Sequence, residues 1–110
     1  MAKKKFIEEL YKKISLNELI LFSIYSVTMK KEKCAFERLI KECFVLFPAS
    51  FSFSGISKWP DSRKLDRSLR TLRNKRLISG DPKTVFSLTK LGRKTAEEVA
   101  KTFRQRKLKL

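Results

Sequence analysis

Apolar residues recur at helical spacing through most of the chain, and the places where that period breaks divide it into elements. Phe6, Ile7, Leu10, Tyr11 and Ile14 fall at i, i+3 and i+4 steps, predicting a first amphipathic helix over roughly Lys3 to Lys13. "SLNE" (Ser15 to Glu18) has the form of a capping box, with a serine to accept from the main chain and a glutamate three positions on. The helix it opens is apolar almost all round (Leu16, Leu19, Ile20, Leu21, Phe22, Ile24, Tyr25, Val27), which predicts burial on most sides. "KKEK" (Lys30 to Lys33) reads as a connection or a helix start. A third helix over about Cys34 to Phe47 places Phe36, Leu39, Ile40, Cys43, Phe44 and Phe47 inward, and Glu37, Arg38, Lys41 and Glu42 outward. Pro48 ends it, because the residue before a proline is pushed out of helical geometry.

"ASFSFSGISKWP" follows as a serine-rich loop with a short extended piece at "SFSFS". A fourth helix, capped by Asp61 or Ser62, turns Leu65, Leu69 and Leu72 inward. The period then changes to two. "LIS" and "TVFSLT" alternate around "GDPK" (Gly80 to Lys83), whose turn chemistry predicts a hairpin. "KLGRKTAEEVAKTF" closes the series, with Leu91, Thr95, Val99 and Phe103 at helical spacing. No repeat or long linker interrupts the 110 residues, so the expected fold is a single domain, mainly α with a small β-hairpin.

Charge changes what this pattern is for. Lysines and arginines number 27 against 11 acids, a net +16, which favours a polyanionic partner: nucleic acid first, an anionic membrane surface second. The excess is local. Lys58 to Arg76 holds eight bases against two acids and Lys101 to Leu110 five against none, whereas Cys34 to Ser57 sums to zero.

At about 100° per residue, Arg63, Arg67, Arg70, Thr71 and Asn74 all lie within about 60° of the direction opposite the leucine stripe of the fourth helix. A solvated face gains from opposite charges one turn apart. This face sets arginine against arginine, with only Asp66 at its edge, as suits a helix that meets phosphates. Arginine forks onto guanine O6 and N7, asparagine pairs with an adenine edge, and threonine serves a phosphate or a thymine methyl. Lys58, Ser62 and Lys64 complete the candidate DNA-binding set around the helix start. Arg73, Lys75 and Arg76 flank the apolar stripe and are equally consistent with local pairing or snorkelling. Trp59 is expected to pack over the helix start rather than stack on a base.

Other chemistry is poorly supplied. No run of apolar residues is long enough to span a bilayer; "LILFSIYSV" (Leu19 to Val27) is too short and carries serines. The start, "MAKKKFIEEL", has glutamates where the apolar core of a signal peptide would follow, so a cytoplasmic, nucleoid-associated protein without a membrane partner is expected. There is no histidine, which removes the commonest metal ligand and general base. Cys34 and Cys43 are nine apart with no C-x-x-C pair; Cys43 sits on the apolar stripe and Cys34 is the one with a chance of exposure. Glu8–Glu9 and Glu97–Glu98 are adjacent and so diverge around their helices, and three glycines build no phosphate-cradling loop. No enzyme activity, cofactor or metal site is expected.

Ser62 to Glu98, "SRKLDRSLRTLRNKRLISGDPKTVFSLTKLGRKTAEE", resembles the recognition helix, wing and following helix of winged helix-turn-helix proteins of the broad MarR- and PadR-like regulator type. The order of elements agrees from about Leu16 to Ala100, and the likeness is specific from Asp61 onward. It implies a winged-helix domain over 1–110, with an extra N-terminal helix (1–14), a helix-turn-helix core and wing (15–88), and a C-terminal helix with a basic tail (89–110). It implies a transcriptional regulator bound to double-stranded DNA. The helix Asp61 to Arg76 would enter the major groove, reading bases through Arg63, Lys64 and Arg67, with Arg70 and Thr71 touching bases or backbone. Lys83, at the hairpin tip Asp81 to Thr84, would reach a phosphate or the minor groove. The family also implies a homodimer through the terminal helices, with Phe6, Leu10, Val99 and Phe103 at the seam. Two departures stand out: Arg76 replaces the usual glycine before "LI", which asks for a different helix end, and Pro48 to Pro60 is longer than a tight helix-turn-helix turn. Two other roles fit the same fold: the DNA-binding part of a larger protein or assembly, and an adaptor for protein or RNA.

Overall fold

The computed structural model describes the backbone of residues 11, 14–53, 56–60, 62–80 and 85–108, and the side chains among these except at 48, 49, 52, 53, 56–60, 62, 64 and 105–108. In chain order the elements are α1 (Leu16–Met29), α2 (Phe36–Leu46), α3 (Pro48–Phe51), β1 (Ser52–Phe53), β2 (Ile56–Pro60), α4 (Ser62–Asn74), β3 (Ile78–Ser79), β4 (Ser87–Leu88) and α5 (Lys90–Leu108). The architecture is mainly helical with small antiparallel hairpins. Of the expected N-terminal helix, Tyr11 is helical and buried against Phe47, ring centroids 5.0 Å apart; residues 1–10, with Phe6 and Leu10, lie outside the described residues.

α1 is the centre. Ser15 caps it as the sequence predicts, its hydroxyl accepting from the Glu18 amide at 3.2 Å and donating to the Glu18 carboxylate at 2.9 Å. Leu19, Ile20, Leu21, Ile24 and Val27 are all buried, and α2, α4 and α5 each pack against it. Such all-round burial is what an almost uniformly apolar helix requires. The segment read as a loop is more ordered than its serines suggest. Pro48 ends α2 but also opens the short α3, which takes in Ser50 and Phe51 of the expected extended piece, and only Ser52–Phe53 of it forms a strand, β1 pairing antiparallel with β2.

The second hairpin pairs Ile78 with Leu88 and Ser79 with Ser87. Its outer strand is tied to the α1–α2 connection by an antiparallel bridge between Ala35 and Val85, with the Phe86 amide donating to the Cys34 carbonyl at 2.8 Å. Ile78 and Phe86 are buried beneath it. Gly80 sits at φ 100, where a side chain would run into the Val85 carbonyl.

The "LTKLGR" segment has a structural purpose. Thr89 donates from its amide to the Leu77 carbonyl (3.1 Å) and from its hydroxyl to the Arg76 carbonyl (2.7 Å), while the Gly92 amide donates to the same hydroxyl (3.2 Å). One threonine thus caps α5 and locks the end of α4 to it. Gly92 leaves room for the Leu77 main chain; a Cβ there would overlap the Leu77 carbonyl oxygen. Gly92→Ala is therefore expected to destabilise the fold by roughly 2 kcal/mol despite alanine's better helix propensity, because backbone has to give way. A urea denaturation midpoint equal to or above wild type would refute this contact.

Two helices face differently from expectation. In α5 the inward residues are Gly92, Ala96, Val99 and Phe103, and Leu91 is 56% exposed, a rotation of roughly 50° from the Leu91–Thr95 stripe. The cause is Gly92, the only position in that turn small enough to meet Leu77. Phe103 stacks on Phe47 at 5.8 Å and meets Phe22 edge-on at 5.2 Å. Val99 and Phe103 are thus buried in the chain's own core rather than exposed for the dimer seam expected of them. The basic C-terminal segment also continues as helix to Leu108.

In α2 the buried face is Leu39, Glu42, Cys43 and Leu46, roughly 80° from the predicted stripe, with Phe36 and Ile40 only half-buried. Glu42, expected in solvent, is 0% exposed. It is held by the Ser26 hydroxyl (2.6 Å), the Lys30 ammonium (2.8 Å) and the Arg38 guanidinium (2.9 Å). A buried carboxylate is tolerated when donors surround it.

Candidate nucleic-acid interface

α4 presents the two faces its sequence implies. Leu65, Leu69 and Leu72 are buried, and Arg63, Arg67, Arg70 and Asn74 are exposed on the side away from α1. Thr71 is half-buried, with its hydroxyl donating back to the Arg67 carbonyl at 3.3 Å. Arg70 meets Asp66 at 3.3 Å, with both side chains well exposed (76% and 41%). Such a pair contributes well under about 1 kcal/mol and yields readily to a stronger anion. Arg67 makes no ion pair with any described residue.

The remaining candidates are placed in part. Ser62 and Lys64 belong to the first turn of α4 and Lys58 to β2, so all three are near the helix start in the chain; their side chains are outside the described set. Asp61, the alternative cap, and Lys83, at the expected wing tip, also lie outside the described residues. Trp59 lies on β2. β2 precedes α4 in the chain and packs on α2 and α3, while α4 and β4 pack against α1.

Its far end differs from expectation. The substitution of Arg76 for glycine asked for a different helix end, yet the end is the one a glycine would make. Arg76 takes φ 60, and the Leu77 amide reaches back to the Leu72 carbonyl at 2.9 Å, closing a Schellman motif. Left-handed geometry costs a residue with a Cβ about 1–2 kcal/mol, more than the several tenths that a cation gains from a helix C-terminus. α1 ends the same way, with Lys31 at φ 60 and the Glu32 amide on the Val27 carbonyl at 3.3 Å. Arg73, Lys75 and Arg76 at this end, and Lys90, Arg93 and Lys94 at the start of the helix that Thr89 fastens to it, are all exposed cations without an assigned role in the sequence. The arginine in a glycine's place was the signal for them.

The cysteines lie in the core. Cys34, the candidate for exposure, is buried under the Phe86 segment, and burial pushes its thiol up to about 12 despite the nearby Arg38 guanidinium. Burial raises the Cys43 thiol further, with the neighbouring Ser23 acting to lower it. Thiols so held are protonated at neutral pH and are poor nucleophiles. Among the described residues no group of three Cys, Asp or Glu is placed to hold a metal, and no helix is long and apolar enough to cross a membrane. A groove of about 360 Å³ runs between α1 and α5, lined by Phe22, Tyr25, Ala100 and Phe103 with Glu97 and Arg104 at its rim.

No protein-family model, curated protein or solved structure matches the chain.

Proposed function

We propose that this chain is a winged-helix protein that binds double-stranded DNA by laying α4 in the major groove, with the β3–β4 hairpin as its wing, and that it acts as a transcriptional regulator in the cytoplasm. One observation carries the reading: α4 is anchored by buried leucines so that Arg63, Arg67, Arg70 and Asn74 share its exposed face. Those residue types suit base edges and phosphates at once. The order of elements supports it, since a helix, a bridging residue at Ala35, a second helix, the basic helix and a hairpin keep the winged-helix order, with α3 and the β1–β2 hairpin inserted before the basic helix. No catalytic role is assigned to any residue.

Arg67 is the residue to test, being outward, near the middle of the helix and without an ion-paired described neighbour. On a duplex selected by the wild-type chain from random sequence, Arg67→Ala is expected to bind about tenfold more weakly. It should also discriminate less against the same duplex with one base pair changed, a bidentate arginine–guanine contact being worth about 1–3 kcal/mol. Lys83→Ala is expected to weaken all duplexes alike. Full retention of wild-type discrimination by Arg67→Ala would count against base reading by this face.

A further inference from the structure

We propose that the C-terminal end of α4 and the first turn of α5 together form a sequence-independent clamp for the DNA backbone, built from Lys75, Arg76, Lys90 and Lys94. The inference rests on the DNA-binding reading of α4 and extends it to a second contact surface on the same duplex.

Two neighbouring positions give up local stability in order to carry a cation. Arg76 holds a left-handed backbone in which glycine would make the same Schellman bonds without strain, and its side chain is exposed, so burial returns nothing. Strained backbone that packing does not require is a reason to look for function. The first turn of α5, where a helix favours acids, has none and carries Lys90 and Arg93 instead, with Lys94 following at the start of the second turn. Lys90 and Lys94 are exposed and one turn apart, so they repel one another.

The fold brings these two costs to one place. The Thr89 hydroxyl on the Arg76 carbonyl (2.7 Å) and the Thr89 amide on the Leu77 carbonyl (3.1 Å) fasten the start of α5 to the end of α4, making Lys90 a neighbour of Arg76. Arg93 is engaged by Glu97 at 3.6 Å, whereas Lys75, Arg76, Lys90 and Lys94 have no ion pair with a described residue. A phosphate is the anion that such a group fits. Its attachment to the same rigid joint as the recognition helix would hold that helix in place along the groove without reading any base.

The test uses the full chain, a duplex selected by the wild type and an unrelated duplex of equal length, each titrated at several salt concentrations. Arg76→Asn removes the charge while suiting the left-handed backbone. It is expected to raise the melting temperature by a few degrees, yet to weaken binding to both duplexes about 3- to 10-fold and to reduce the slope of log affinity against log salt by about one. Lys90→Gln is expected to reproduce the loss of affinity and slope without the gain in stability, and Arg76→Lys to retain wild-type binding. An Arg76→Asn protein that binds both duplexes with wild-type affinity and slope would overturn the clamp while leaving the α4 reading intact. A wild-type chain with no salt-dependent duplex binding would overturn the α4 reading, and the clamp with it.

Discussion

Replacing Glu42 with alanine is expected to lower stability by about 3 kcal/mol or more, and the melting temperature by roughly 4–8 °C for each kcal/mol. Glu42 is fully buried and accepts from Ser26 in the last turn of α1, Lys30 just past its end, and Arg38 one turn back on α2. Its loss leaves the Ser26 hydroxyl and the Arg38 guanidinium, 18% exposed, without this acceptor, while Lys30, 37% exposed, keeps access to water. Arg38 remains the best placed, because Glu32 also holds it at 2.9 Å and is the first cause of a guanidinium held above its ordinary pKa. Lys30 and Ser26 have no such second partner among the bonds described. Glu42→Gln keeps the shape but sets a neutral amide among cations, so most of the loss is expected there too.

The penalty comes from donors left without this acceptor and from the space the side chain vacates, rather than from any large net gain in forming the cluster. Replacing Lys30, Arg38 and Glu42 together with apolar residues of similar size is accordingly expected to recover much of what Glu42→Ala loses. Urea denaturation of the single and triple variants separates the two terms. A single variant within about 0.5 kcal/mol of wild type would mean that the cluster is not the clasp between α1 and α2.

Particular residues show where the sequence was informative. Ser15 and Glu18, the uniformly apolar α1, the leucine stripe of α4 and the change to period two after Leu77 each act locally, and each appears in the structure as the spacing predicts. The facing of α2 and α5 depends on what lies opposite. Glu42 looked polar and outward because its donors at positions 26 and 30 belong to another helix. Gly92 drew no reading of its own, because the Leu77 carbonyl it accommodates comes from across a turn. The β1–β2 hairpin was half legible, since "SFSFS" alternates but its partner strand "ISKWP" carries no clear period.

The candidate site follows the same division. The outward set Arg63, Arg67, Arg70 and Asn74 was readable from α4 alone, and Arg70 differs only in meeting Asp66. Thr71 is less available than its position on the wheel suggests, because its hydroxyl bonds back to the helix. The cations of the α4–α5 joint escaped notice because helix spacing does not bring Arg76 and Lys90 together; a threonine between two elements does. Val99 and Phe103 show the opposite error, an apolar stripe given to a partner when the chain's own aromatic cluster already covers it.

If α4 and its surroundings meet the backbone of a duplex through about six phosphates, the released counterions make affinity fall steeply with salt. The expected slope of log affinity against log salt is about −5, a loss of about a thousandfold between roughly 50 and 200 mM. Neutral contacts alone produce no such slope, so the quantity measures the number of cations engaged rather than tightness as such. Removing outward cations of α4 one at a time is expected to flatten the slope by about one unit each. The decisive measurement is therefore the affinity of the wild-type chain for a short duplex across that salt range. A thousandfold decline, made shallower by Arg67→Ala, is the predicted result; a flat response, or a steep one unchanged by loss of the α4 arginines, would contradict the assignment of α4 as the DNA-binding helix.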